Sequence, residues 1–405
     1  MTWGLGMRVC LRAGGLLLVG CAALMAACGS DEGGGGEGVA DTGALPDAAQ
    51  DAAGGGEDTA ASDVEADVEA DAPSGVDPCA ARLEWTAGAE LPTPRDHHGT
   101  VIYTRADGRA ILQVQGGTNY NTIFSDVWEA ELQDDGTLAA WEQGAALPGV
   151  RAGHAVVHEG EHLFLLGGRE LSGFLATTLR PTWGEAGRVD GWEAQAPLPE
   201  ARFHASASSD GSHVWLTGGL NSEDNEAQNT VYVAPILEDG ALGEWRLQGR
   251  MFDPRSHHAS FVRDGRLYLA YGFKGNPIGS QTEELTDVIA APILEGGELG
   301  EWERILRDDL AISTLGVTAL EGCAFMTGGL VRGGPSDYTY NNQLWRLDFG
   351  ADGAPTRTPV DGALSVGRSH LHQSPFHDGR LYVVGGSRGL QSVTPLVEIG
   401  TFVTP

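Results

Sequence analysis

Lysine is almost missing from this chain: Lys274 stands alone beside 24 arginines. That bias reads as genome base composition rather than as function. Basic charge of either kind is scarce, and the net charge of −31 repels phosphate backbones, so no nucleic-acid partner is expected. The apolar stretch from Ala13 to Ala27 is too short to span a bilayer. From Gly29 to Pro78 there is no aromatic residue, and residues 29–80 hold 14 carboxylates and no Lys or Arg. Such a segment cannot bury enough apolar surface to offset its ordering entropy, so a disordered, self-repelling tether is expected. Its run from Asp63 to Asp71 lacks the glycine turn and bidentate spacing of a calcium loop. Neither a Gly-x-Ser-x-Gly elbow nor a phosphate-cradling glycine loop before lysine is present. Of the five cysteines, Cys79 and Cys323 alone lie beyond the first 28 residues.

What is present begins with a leader. Arg8 and Arg12, a short apolar core and small residues before a break describe a secretory signal peptide. The break Leu24-Met25-Ala26-Ala27-Cys28 resembles the lipobox of bacterial lipoproteins, in which the cysteine becomes the lipidated first residue. Leu18-Val19-Gly20-Cys21 is a competing site with a shorter apolar core, and Cys28 is preferred because the low-complexity run follows it at once. The expected organisation is therefore a signal peptide over 1–27, a tether over 28–80 with lipidated Cys28, and a folded body over 81–405. This places the chain in a bacterial cell envelope, as an outer-membrane lipoprotein facing the periplasm or the cell surface and touching the membrane by its anchor only.

The body repeats. Gly117, Gly168, Gly219, Gly272, Gly329 and Gly386 close hydrophobic strands at intervals of 51, 51, 53, 57 and 57 residues, a spacing that marks stacked β-sheet blades. In the fourth repeat His257–Val262 reads as a first strand, Asp264-Gly265 as a tight hairpin turn, Arg266–Ala270 as the second strand and Val288–Ile293 as the third. A fourth strand is expected at Trp302. A glycine five residues before a tryptophan recurs as Gly136/Trp141, Gly187/Trp192, Gly240/Trp245 and Gly297/Trp302, a packing device on the outer strand. We letter the strands a to d from the inside outward.

Leu91-Pro92-x-x-Arg95-x-His97, Leu147-Pro148-x-x-Arg151 and Leu198-Pro199-x-x-Arg202-x-His204 resemble the kelch-repeat β-propeller family over residues 81–405. Departures are Tyr271 at the first glycine position of repeat four, the lost Arg-His cluster at Ala311–Gly316, and Thr358 where tryptophan is expected. The chain enters on a lone d-type strand around Trp85 and finishes with a c-type strand, Leu396–Phe402. The expectation is an all-β, six-bladed kelch-type β-propeller whose N-terminal strand completes the last blade, a closure that leaves only short protected edges.

The clusters at Arg95, Arg151, Arg202, Arg255 and Arg368 recur in most blades, which favours a structural role in donating to carbonyls of the neighbouring blade. The sharper reading is a cationic and imidazole ring, with His97, His204, His257 and His370, around a channel mouth suited to a carboxylate ligand. His158-Glu159-Gly160-Glu161-His162 matches a zinc-protease string, but that chemistry needs a helix, and alignment with repeat four makes Glu159-Gly160 a hairpin turn. No metal site, cofactor or catalytic residue is assigned. Cys79 and Cys323 fall on the same face of adjacent blades and can pair.

Single-copy features on the b–c loops (Thr118–Asp126, Asn221–Asn229, Phe273–Thr286, Leu330–Asn342) are the better site candidates: Tyr120, Lys274, Arg332, Tyr338 and Tyr340. The leading expectation is a monomeric, non-enzymatic module binding an envelope protein or glycan through its b–c/d–a face. The resemblance also implies two enzymatic alternatives. One is a sialic acid mutarotase-like enzyme using His97, His204 or His257 as acid and base. The other is a copper radical oxidase of the galactose oxidase type, for which Cys323 looks badly placed.

Overall fold

Strand b is buried over all or all but its first residue in every sheet, end to end in Ala110–Gln115 and Cys323–Thr327, because it lies in the middle of a sheet covered on both faces. A computed structural model describes residues 76–276, 282–334 and 337–404. The signal peptide, Cys21, Cys28 and the tether up to residue 75 lie outside the described residues. Among the described residues no helix is long and apolar enough to cross a membrane.

Six four-stranded antiparallel sheets are present among those residues. Sheet one is Gly99–Thr104, Ala110–Gln115, Val127–Glu131 and Glu142–Gln143. Sheets two to five repeat that meander, starting at Ala155, Ser206, Ala259 and Gly316. Sheet six takes Phe376–His377, Arg380–Val384 and Val397–Val403 from the chain's end and Arg82–Ala87 from its beginning. The seam is antiparallel with Trp85 opposite Gly400, so the N-terminal segment supplies the outer strand of the final sheet.

Period-two alternation sends each sheet's side chains to both neighbours. Ala110, Leu112 and Val114 pack on Tyr382, Val384 and Val397 of sheet six. Val101 and Val127 pack on Leu163 and Leu165 of sheet two. Equivalent clusters join two to three, three to four, four to five and five to six. The order of packing is therefore a closed cycle, with strands a innermost.

Two sets of backbone hydrogen bonds repeat around the cycle. The amide of each closing glycine donates to the first residue of the next sheet's connector: Gly117 to Arg151, Gly168 to Arg202, Gly219 to Arg255, Gly272 to Ile312, Gly329 to Arg368 and Gly386 to Arg95. These glycines have φ between 82° and 104°, beyond the left-handed region that L residues tolerate. A Cβ on Gly117 would stand 2.6 Å from the Asp96 carbonyl. The position before them is left-handed at φ 56–61°, a value a non-glycine residue can reach, and Tyr271 occupies it at 58°.

The second set runs around the axis. Gly153 donates to His97, His204 to Gly153, His257 to His204, Thr314 to His257, Leu371 to Thr314 and His97 to His370. The residues at this inner position, His97, Gly153, His204, His257, Thr314 and His370, share φ of 54–60°. That geometry explains why strand a of sheet four starts at Ala259 rather than at His257.

Three further expectations shift. The b–c connections of sheets four and five are paired ribbons, Phe273–Lys274 with Glu283–Glu284 and Leu330–Gly334 with Asp337–Tyr340, rather than plain loops. Strand d of sheet four begins at Glu303, one residue past Trp302. The hairpin inside His158–His162 turns at Gly160-Glu161, since Glu159 pairs with His162. The two histidines therefore sit on facing strands, without the helical spacing that a zinc protease needs. Finally, Cys79 and Cys323 are joined by a disulfide with Cα atoms 5.7 Å apart.

Candidate functional site

The arginines do not reach the mouth. Arg95, Arg151, Arg202, Arg255 and Arg368 are buried, and each donates within its own sheet rather than to a neighbouring blade as expected. Arg95 meets the Gly116 carbonyl at 2.8 Å and Asp126 in a bidentate pair at 2.6 and 3.0 Å. Arg255 meets the Tyr271 carbonyl and Asp287. Arg368 meets the Gly385 and Leu396 carbonyls and Glu398. Arg151 binds Gly167 and Thr177, and Arg202 binds Glu200 and Thr230. Arg95, Arg151, Arg255 and Arg368 thus tie the end of strand b to the start of strand c, whereas Arg202 ties its own connector to strand c. Among the described residues, these five arginines therefore form no cationic ring at the mouth for a carboxylate ligand.

What fills the axis at that face is imidazole. The left-handed inner positions turn His97, His204, His257 and His370 toward one another, and His372 joins them. Ring centroids lie 3.5 Å apart for His204–His257, 4.2 Å for His97–His370, 4.9 Å for His97–His204 and 5.5 Å for His204–His372. Burial first, and then mutual repulsion among these rings, holds His204, His257 and His370 well below the ordinary imidazole range. The same causes push His372 down to about 3. His204, His257, His370 and His372 are therefore held neutral, able to ligate but not to attract an anion.

One carboxylate enters it. Asp96 has no exposed surface, and its Oδ1 lies 2.7 Å from His97 Nδ1. Neither oxygen has a donor of ordinary hydrogen-bond alignment, and the groups that face the carboxylate are His97 and the Tyr120 hydroxyl. Burial alone would raise the Asp96 carboxyl, but the His97 contact and the nearby His370 bring it below its usual value. Tyr120 reaches over from the sheet-one connector and bonds Ser387 at 2.9 Å. Burial, then the Asp96 charge, raises the Tyr120 phenol. Tyr340, on the sheet-five ribbon, also borders Ser387 and Asp96.

The structure thus gathers His97, His370, Tyr120 and Tyr340 of the sequence candidates, and adds Asp96, Ser387 and His372, which sequence reasoning missed. The signal for Asp96 was available. The corresponding positions in the other sheets are Ala152, Phe203, Ser256, Ser313 and Ser369, all uncharged. Lys274 lies apart, paired with Glu283 at 3.1 Å and Asp253 at 3.8 Å. Arg332 pairs with Glu284 at 2.8 Å and stacks over Tyr338. Cys323 is held in its disulfide at the start of strand b, away from this face, so the residues do not fit a copper site built on a Tyr–Cys crosslink.

No family model matches the chain. Beta-scruin of Limulus polyphemus is 22% identical over 250 residues, covering 61% of this chain and 26% of its own length. Kelch repeat and BTB domain-containing protein 12 of Danio rerio is 27% identical over 200 residues, covering 47% and 30% respectively. The chain therefore spans under a third of the length of these relatives. The solved structure of YjhT superposes with a TM-score of 0.59 at 13% identity, over 76% of this chain and 95% of that one. Together with the six sheets and their cyclic packing, these similarities support a kelch-type repeat β-propeller.

Proposed function

We propose that the chain is a binding module that takes an envelope protein or glycan on its b–c/d–a face. One observation carries this reading. Four consecutive sheets around the ring each leave one large apolar or aromatic side chain exposed on the b–c connection: Tyr338 on sheet five (41% exposed), Leu390 on six (94%), Tyr120 on one (42%) and Leu171 on two (79%). Side chains of this kind have no core to serve, and grouped on one rim they mark an interaction surface. The kelch-repeat relatives add weight to a protein-binding role. The leader, Cys28 and the acidic tether would hold this rim away from a membrane surface by a lipid anchor.

The test compares the full chain with Leu171→Asp/Leu390→Asp in crosslinking to envelope extracts and in a glycan array. The reading predicts at least tenfold weaker capture with an unchanged melting temperature. Equal capture by both proteins would refute it. A second reading, a sugar-acting enzyme of the mutarotase kind, is favoured by the Asp96–His97 contact beside the Tyr120 hydroxyl, which supplies groups for proton transfer. Burial of all five arginines removes the cationic mouth that an anionic sugar would use. Sialic acid anomerisation lost in Asp96→Asn would favour it over the binding module.

A further inference from the structure

We propose that Asp96, His97 and His370 form a site for one divalent first-row transition-metal ion at the axis of the propeller. A ligand atom from each of the three lies within 4.8 Å of the other two. A single ion with tetrahedral bonds of about 2.1 Å holds its ligand atoms roughly 3.4 Å apart, so side-chain rotations that move the atoms by about an ångström complete the site. The two histidines are held in place by backbone rather than by side-chain packing alone. His97 donates its amide to the His370 carbonyl, and both residues sit at φ 55–56°, which brings their rings into a stack 4.2 Å apart.

Asp96 is the independent indication that a cation belongs there. Its backbone makes the bridge to Thr118 that every sheet makes at this position, and the other sheets do so with uncharged residues. The carboxylate is therefore surplus to the fold. It is fully buried, and both oxygens, like His97 Nδ1, lack an aligned partner. A fully buried carboxylate without an aligned donor is costly unless a cation pairs with it. Two imidazole nitrogens and one carboxylate oxygen suit zinc, ferrous iron or cobalt, and not calcium or magnesium, which prefer all-oxygen shells. Tyr120 and Ser387 border the remaining coordination positions, and His97 keeps 12% side-chain exposure, so the site is not sealed.

The experiment treats the full chain with chelator, then titrates zinc by calorimetry and cobalt(II) by visible absorption. One ion per chain at micromolar or tighter affinity is expected, with a cobalt d–d band characteristic of nitrogen ligation and a raised melting temperature on zinc addition. Asp96→Asn and His370→Gln are each expected to weaken binding at least tenfold, while His213→Gln, which packs on Trp215 outside the cluster, changes it less than threefold. The cobalt spectrum of the unaltered chain reads imidazole ligation even if a variant fails to fold. No saturable binding would overturn the proposal and leave Asp96–His97 as a short contact with no ion. Binding unaffected by Asp96→Asn in a folded variant would overturn it equally. Neither result bears on capture by the Leu171/Leu390 rim, so the two proposals fail separately.

Discussion

Side-chain identity matters less at the axis than backbone conformation. His97, Gly153, His204, His257, Thr314 and His370 all adopt the left-handed region, which costs a non-glycine residue on the order of 1 kcal/mol. The hydrogen bonds linking successive connectors offset that cost. Sheet five shows the point, since Ile312 and Thr314 keep both bond sets after the Arg-His cluster is lost. One layer further in, His154 and His258 are buried neutral imidazoles, with burial the main cause of their depressed proton affinity. The unfolded chain binds protons on these rings below about pH 6.5 while the folded chain does not. Stability is therefore present above that pH and is lost as pH falls, by up to about 1.4 kcal/mol per unit for each ring. Denaturant titrations from pH 7 to 4.5 are expected to show a shallower decline for His154→Gln/His258→Gln than for the unaltered chain. Parallel declines would contradict the assignment. Asp96 was harder to see in sequence because it sits inside a repeated motif whose recurrence argues for structure. Only comparison of the same position across sheets separates it from Ala152, Phe203 and the serines.

Among the elements, the outer strands carry the clearest sequence signal. Trp141, Trp192 and Trp245 donate their indole N–H to Ala89, Ala145 and Ala196, carbonyls that follow the outer strand of the preceding sheet. Trp85, on the outer strand of sheet six, makes the corresponding bond to Gly362, which follows the outer strand of sheet five, at 3.0 Å. Trp245 is half-buried in the cluster between sheets two and three. Trp245→Ala is expected to lower stability by about 3 kcal/mol, read as a fall in denaturation midpoint, and an unchanged midpoint would contradict this stitching role. The glycine period and the glycine–tryptophan offset made these strands legible because packing imposes them on every repeat. The ribbons at Phe273–Glu284 and Leu330–Tyr340 were not legible. Their pairing is set by contact with connector residues such as Ser256 and Ser313, which leaves no periodic mark in a short, glycine-interrupted stretch. Burial of the arginines was half legible: satisfied donors were expected, but the choice of partner depends on where strand c begins, with Asp126, Asp287 and Glu398 waiting there.

At the scale of the whole molecule, closure is what positions everything else. A closed ring places six connectors around one axis, and the two proposed functions use different parts of that face: the rim for a partner, the centre for an ion. The seam joins residues more than 300 positions apart, and such a long-range pairing is entropically costly to form. Two devices secure it. The outer strand Arg82–Ala87 pairs along its length with Val397–Val403, and the Cys79–Cys323 disulfide ties the same segment to sheet five, adding about 2–4 kcal/mol by restricting the unfolded chain. Hydrogen–deuterium exchange of the oxidised chain, resolved at the peptides covering 82–87 and 397–403, tests closure most directly. The account predicts that the amides bonded across this seam exchange as slowly as those between the outer two strands of sheets two to four. Exchange of 82–87 within seconds, while the other outer strands stay protected, would contradict it.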